Sequence, residues 1–340
     1  MKYPNRLPCC TRRALFGAAS AMGALLLEGC ENTADTDTSE TSSITLFCFD
    51  TVVTISARCD ESLLDDVAER CEYFEGIFSR TVEGSDIWNV NTAAGEPVEV
   101  AEETAEVLEA ALEYAEASDG LFDVTIGAVS ELWDFDAGVV PDEDELAEAL
   151  MHVGWTNLSI EGTTVTLADP QAKLDLGGIA KGYIADDLVR LLTEGGCEDA
   201  SISLGGNVFV MGESFDGDPW VVGIQDPNGE TSDVIASVEC TDMSVVTSGL
   251  YERCFTQDGV TYHHILDPRT GYPVETDLVS SSILSERSLD GDAYATMLFL
   301  MGREAALELL ESNDALEGLL VDESGEITMS SGATFELVEE

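Results

Sequence analysis

The sequence predicts an α+β fold, one unit of two interlocked lobes with mixed or antiparallel sheets and flanking helices. Three observations carry this. Apolar residues recur at helical spacing in a few well-separated segments, short β-rich runs dominate the stretch from 200 to 240, and neither a repeat nor a second linker divides residues 44–335. With 340 residues, 44% of them hydrophobic, the chain is long enough to bury a sizeable core.

The elements follow in chain order. Ser43 to Ala57 is β-rich through Phe49-Asp50-Thr51-Val52-Val53-Thr54-Ile55 and reads as a strand; Leu63, Leu64, Val67, Cys71, Phe74 and Phe78 then recur at the helical period. Val107, Leu108, Ala111, Leu112 and Ala115 repeat that period over 103–117, and 142–151 is a shorter helix opened by Pro141 and closed before Gly154. Two short strands flank Glu161-Gly162. In the next helix Ala180, Tyr183, Ile184, Leu188, Leu191 and Leu192 share one face, Asp186, Asp187 and Arg190 face water, and Gly195-Gly196 ends the run. Strands are expected over 201–204, 208–211, 220–225 and 235–240, helices over 292–301 and 303–312, and closing strands at 319–321 and 327–329.

The N-terminus has its own logic. Lys2, Arg6, Arg12 and Arg13 precede the apolar run LFGAASAMGALLL, which is short for a membrane span and marks residues 1–29 as an export signal. Thr11 to Phe16 resembles a twin-arginine signal and Leu27-Glu28-Gly29-Cys30 a lipoprotein processing site, so Cys30 would carry lipid and anchor the chain to the cell membrane. The alternative is a secretory signal cut elsewhere; both put the protein outside the cytoplasm. Residues 30–43, with the polar run ENTADTDTSETSS, form a flexible tether.

A formal charge of −54 repels nucleic acid and argues against such a partner. Without the signal, 10 basic residues stand against 67 acidic ones, so each remaining cation is informative. Beyond Cys30 six cysteines remain, Cys48, Cys59, Cys71, Cys197, Cys240 and Cys254. Export permits disulfides, but long irregular spacings with no CxxC leave the connectivity open.

Three segments can carry chemistry. In DLGGIAKGYIADDL (175–188), Gly177-Gly178 lets the backbone approach a ligand at a helix N-terminus suited to phosphate, although the same pattern also serves as an ordinary turn before a helix. It is neither a Walker loop, since Tyr183 stands where the lysine belongs, nor GxGxxG. In DGDAYAT (290–296), Asp292 and Thr296 lie four apart on one helix face, an oxygen pair for a hard cation such as Mg2+ or simply a capped first turn. In YHHILDPRTG (262–271), an apparent strand puts His264 and Leu266 on one face before a proline-glycine turn. His264 could take or give a proton, or serve as a hydrogen-bonded structural residue.

Taken in this order with ISLGGNVFVMG (202–212), WVVGIQDP (220–227) and TSGLYER (247–253), these segments resemble the ApbE family of FAD:protein FMN transferases from about Thr45 to Val321. FDTVVTI near the start, the 85–91 segment and GLFDVTIGAVSELWDF add to the match. The resemblance implies an α+β fold binding FAD between lobes and a Mg2+-dependent transfer of FMN to a Thr or Ser hydroxyl of an acceptor protein in an extracytoplasmic electron-transfer system, releasing AMP. It assigns Asp292, Thr296 and the carbonyls of Gly178 and Ala295 to the metal, and Leu121, Phe122, Asp123, Asp175, Lys181 and Leu266 to FAD. Phe122 would pack on the isoalloxazine and Asp175 would accept from ribose or adenine, with Lys181 a secondary contact. Phe49 stands where the family often has Met in Met-Gly-Thr, a flavin neighbour at the pocket edge. His264 leads as the proton-transfer residue, with Asp292 its rival. Two other functions need nearly the same residues: a Mg2+-dependent FAD pyrophosphatase, and a lipid-tethered flavin-binding protein without catalysis.

Overall fold

A central sheet of eight strands runs in the order 327–329, 316–322, 278–285, 243–249, 207–211, 200–204, 51–57 and 42–48, with every ladder antiparallel. The computed structural model describes residues 24–26, 41–230 and 232–338. The export signal apart from Ala24–Leu26, Cys30 and the tether to residue 40 lie outside the described residues. Among the described residues no helix is long and apolar enough to cross a membrane.

The helices Glu61–Phe78, Glu102–Ala117 and Ala180–Glu194 form where the periodicity puts them. Their apolar stripes, including Phe74, Leu108, Ile184 and Leu188, close one large core together with Ile55 and Ile202 of the sheet. A smaller sheet orders Ala24–Leu26, Trp220–Gln225, Val234–Cys240 and Glu336–Leu337. Its Trp220, Val222 and Val238 pack with Val208, Val245 and Leu319 of the central sheet, giving the second lobe its core. Helix Ser288–Met301 belongs to both major environments: Leu289, Ala293 and Met297 face the first core, while Ala295, Leu298 and Phe299 join a third apolar cluster. Apart from the half-buried Asp290, Tyr294, Thr296 and Met301 this helix is buried, so its position is fixed by packing.

Several expectations change. The β-rich run at 43–57 is a hairpin of Ser42–Cys48 and Thr51–Ala57. Its two-residue turn, Phe49-Asp50, is left-handed at both positions (φ 56° and 55°), the handedness that suits a twisted hairpin. Neither residue is a glycine, so no composition signal marked the turn. Strands Met243–Gly249 and Leu278–Ser285 were not anticipated. Hydroxyls at Thr247, Ser248 and Ser280 to Ser282 obscure their apolar pattern, and Leu278–Ser285 is buried along its whole length. The helix expected from Asp292 begins four residues earlier, at Ser288.

Asp186 and Asp187 do not face water as expected. Asp186 reaches across from its own helix to cap that earlier start, accepting from the Ser288 N–H at 2.7 Å and the Leu289 N–H at 3.0 Å. Asp187 is buried between two guanidinium groups, accepting from Arg70 Nε at 2.7 Å and from Arg190. The strand before the proline-glycine turn is Val260–His263. His264 therefore lies beyond it and Leu266 joins an isolated bridge to Pro273, so the two do not share a strand face.

Candidate active site

The loop that opens helix Ala180–Glu194 is held from beneath by Asp175. Its N–H donates to Val124 O (2.8 Å), Oδ1 accepts from the Gly177 N–H (2.9 Å), and Oδ2 accepts from Ser130 Oγ (2.6 Å) with Arg80 Nε at 3.6 Å. These bonds shape the turn and give Asp175 a loop-holding task in addition to any ligand contact. Gly178 follows at a close approach: a Cβ there would stand 3.2 Å from Phe122 Cε2 and 3.5 Å from Thr296 Oγ1. The glycine thus brings a bare main chain beside the Thr296 hydroxyl and the Phe122 ring.

One turn later the same helix meets helix Ser288–Met301. The Gly182 N–H donates to Asp292 Oδ2 at 2.9 Å, while Lys181 Nζ lies 3.3 Å from Asp292 Oδ1 and 3.2 Å from Gly177 O. Asp292 is only 3% exposed. A buried carboxylate needs compensation, and here a main-chain donor and one ammonium supply it. Asp292 and Thr296 offer side-chain oxygens one turn apart on the same helix, with the Gly178 main chain beside Thr296, donors of the hard class suited to Mg2+ with water and phosphate oxygens. Ala295, fully buried in the same helix, lies next to Thr296. Among the described residues no three His, Cys, Asp or Glu side chains gather as a metal cage. A hard cation would therefore depend on this mixed set and on its substrate. The position already accommodates positive charge, since an ammonium sits against Asp292 Oδ1.

His264 completes the far side. Its N–H donates to Arg253 O at 3.1 Å, and Arg253 Nη2 donates to Asp50 O at 3.2 Å, tying the segment to the Phe49-Asp50 turn. Burial, then the nearby His263, Arg253 and Lys181, drive the His264 pKa down to about 3, so the ring is neutral at physiological pH. Glu252, beside Arg253, keeps solvent access, yet the surrounding protein raises its pKa, with Lys181 and Arg253 opposing and Asp292 reinforcing the shift. Glu252, Arg253 and Asp186 are site neighbours that sequence reasoning left without roles. For the first two the available signal was TSGLYER; for Asp186 no local signal existed, because its partners are 102 and 103 positions away.

The remaining candidates divide. Phe122 touches the site, with its ring T-shaped against Tyr114 (6.1 Å) and its N–H on Ser118 Oγ (2.9 Å). Tyr114 donates through its hydroxyl to Asp290, linking this wall to the Asp292 helix. Leu121 packs in the cluster containing Ala295 and Leu298. Asp123 has both oxygens engaged: Oδ1 accepts from Thr125 N–H (2.8 Å) and Oγ1 (2.7 Å), and Oδ2 from the Trp155 N–H (2.9 Å). Leu266 packs with Val129, Trp133 and Leu146 in a satellite cluster, and Phe49 holds the hairpin turn with its N–H on Glu75 Oε2 (2.5 Å). A groove of about 630 Å³ lined by Glu103, Glu106, Tyr183, Asp187 and Arg190 lies on the opposite side of helix Ala180–Glu194 from Lys181. Its carboxylates disfavour a pyrophosphate, and it contains neither Asp292, Thr296 nor His264.

Comparison with known proteins identifies relatives of this chain. The sequence profile of the ApbE family matches residues 49–320. The chain is 39% identical to an FAD:protein FMN transferase of Treponema pallidum over 79% of this chain and 79% of the relative. It is 36% identical to one of Klebsiella pneumoniae over 80% and 86%. Among solved structures, the ApbE protein of Thermotoga maritima superposes with a TM-score of 0.79 at 35% identity, covering 86% of this chain and 97% of that one. The flavin transferase ApbE from Vibrio cholerae gives 0.76 at 29% identity, covering 86% and 98%.

Proposed function

This chain belongs to the ApbE family, and on that footing we propose that it transfers the FMN half of FAD to a Thr or Ser hydroxyl of an acceptor protein, releasing AMP in a Mg2+-dependent reaction outside the cytoplasm. The acceptor oxygen forms a new ester bond to the FMN-side phosphorus. The bond from that phosphorus to the bridging oxygen breaks, AMP departs with the oxygen, and the hydroxyl proton passes to a base.

The observation that carries this reading is the meeting of Gly178, Lys181, Asp292 and Thr296 where two helices touch. Asp292, Thr296 and the Gly178 and Ala295 carbonyls would hold Mg2+, which supplies charge neutralisation and polarisation of the pyrophosphate. Lys181 contributes a second positive charge to FAD binding. Phe122 lines the flavin side, supported by its contact with the Gly178 main chain. His264, neutral and beside Arg253, orients the acceptor hydroxyl and takes its proton; a bound pyrophosphate offsets the neighbouring cations and makes the ring more basic.

Export and lipid anchoring rest on residues 1–43: a basic start, a short apolar run, Cys30 and a polar tether. The acceptor would then belong to an extracytoplasmic electron-transfer system. Cell fractionation tests the anchor, since Cys30→Ala should release the chain from the membrane. For the reaction, the chain is incubated with FAD, Mg2+ and a candidate acceptor. A denatured acceptor band that fluoresces as flavin is the expected result. Free FMN and AMP without that band identify a pyrophosphatase, and intact FAD identifies a flavin-binding protein.

A further inference from the structure

We propose that Cys48–Cys71 and Cys59–Cys197 are two disulfide sites that close when the chain stands in an oxidising compartment. Placement in such a compartment rests on the export reading; the pairing rests on geometry.

Cys48 packs against the core cluster that contains Cys71, and the two thiols perturb one another's ionisation. Cys48 ends a strand of the hairpin, and the next residue, Phe49, fixes its N–H to Glu75, one turn beyond Cys71 on helix Glu61–Phe78. Cys59 packs against the same cluster, which also contains Cys197, and these two thiols likewise perturb one another. Here the backbone confirms the approach: Arg58 N–H donates to Asp199 O at 2.9 Å, Ala57 pairs with Ala200, and Cys197 Sγ lies 3.9 Å from Arg58 O. Two independent pairs of neighbouring thiols, each joining segments distant in sequence, account for four of the six cysteines past Cys30.

Both pairs have the same asymmetry. Cys48 and Cys59 are half-buried, whereas Cys71 and Cys197 are buried. An oxidant therefore meets the accessible thiol first and forms a mixed disulfide, which the buried partner resolves. The neighbouring Cys71 thiol holds the Cys48 thiol below its usual pKa, favouring the thiolate that begins this exchange. Each closure forms one S–S bond and passes two protons and two electrons to a disulfide oxidant, whose own S–S bond breaks to give two thiols. The first crosslink would pin the Phe49-Asp50 turn at the edge of the site to helix Glu61–Phe78. The second would tie the start of that helix to the chain just past helix Ala180–Glu194, whose opposite end carries Gly178 and Lys181.

The test is peptide mass mapping of the purified chain after oxidised glutathione, with free thiols alkylated before digestion. Linked peptides joining 48 to 71 and 59 to 197 are expected, each lighter by two hydrogens, with a melting temperature several degrees above that of the reduced chain. Cys48→Ser should abolish the first link and leave the second, and Cys59→Ser the reverse; both alter the half-buried partner and leave the buried cysteine in place. Four thiols still alkylated after oxidation, or any other pairing among them, would overturn the proposal. Mapping the chain taken directly from cells, with and without residues 1–29, judges the compartment separately. If the pairs close in vitro but stay reduced in both cellular samples, the export reading fails and not the geometry.

Discussion

The Gly182 N–H donates to Asp292 Oδ2 at 2.9 Å, joining the helix that carries Lys181 to the helix that carries Thr296. A Cβ on residue 182 would stand 2.7 Å from Leu289 Cα and would press on Ser288 O as well. The contact is backbone against backbone, so no side chain can yield.

Gly182→Ala should therefore separate the two helices and displace Asp292. Overpacking of this kind costs about 1–3 kcal/mol. A lower melting temperature by circular dichroism, together with at least a tenfold loss of flavin transfer, is expected; full activity would show that the helices need not touch.

Lys181 and the proposed Mg2+ would compete for Asp292. Lys181→Met should leave the carboxylate without its ammonium and so raise Mg2+ affinity several-fold in the absence of FAD, while weakening FAD binding. Calorimetric titration of each ligand separates the two effects. Unchanged Mg2+ affinity would argue that the metal binds away from Asp292.

Asp186 caps the helix that carries Asp292, and its removal by Asp186→Ala should cost about 0.5–2 kcal/mol. Burial lifts its pKa from 3.8 to about 6. The folded state holds this proton more tightly than the unfolded chain, so the associated stability is complete below pH 3.8 and is lost as pH rises through about 6. Asp186→Asn cannot titrate and should flatten the dependence of melting temperature on pH across that window.

His263 works with the opposite sign. It is buried, with Nε2 3.2 Å from Val274 O, and desolvation lowers its pKa from 6.5 to about 4. The unfolded chain takes up the proton first, so stability is present above pH 6.5 and is lost as pH falls toward 4. His263→Gln preserves a donor without the titration, and its thermal unfolding should be less sensitive to acid.

His264→Gln should lower kcat by about 10²–10⁴-fold, the usual contribution of a proton-transfer group, with a much smaller change in the KM for FAD. A loss confined to KM would reassign this residue to binding.

How much was legible follows from the range of the interactions. Helices 61–78, 102–117 and 180–194 were readable because an apolar stripe is a local property. Strands 243–249 and 278–285 were not, since burial on both faces removes the alternation and places hydroxyls in the interior, where Thr247 Oγ1 pairs with Ser282 Oγ at 2.7 Å. The pairing of Lys181 with Asp292 spans more than a hundred residues, as do the Asp186 cap and the contact of Gly178 with Thr296; no periodicity encodes them.

By itself the sequence determined the α+β class, the helix faces and the motifs that carry the family resemblance, because propensity, period and glycine placement act within a few neighbouring residues. Only the tertiary structure decided that Phe49-Asp50 is a turn, that Asp186 is a cap, and that Asp123 has its oxygens spent on Thr125 and Trp155. The physical reason is that a polar group's role depends on which donor it meets once burial removes water, and that partner is chosen by the packing of distant segments.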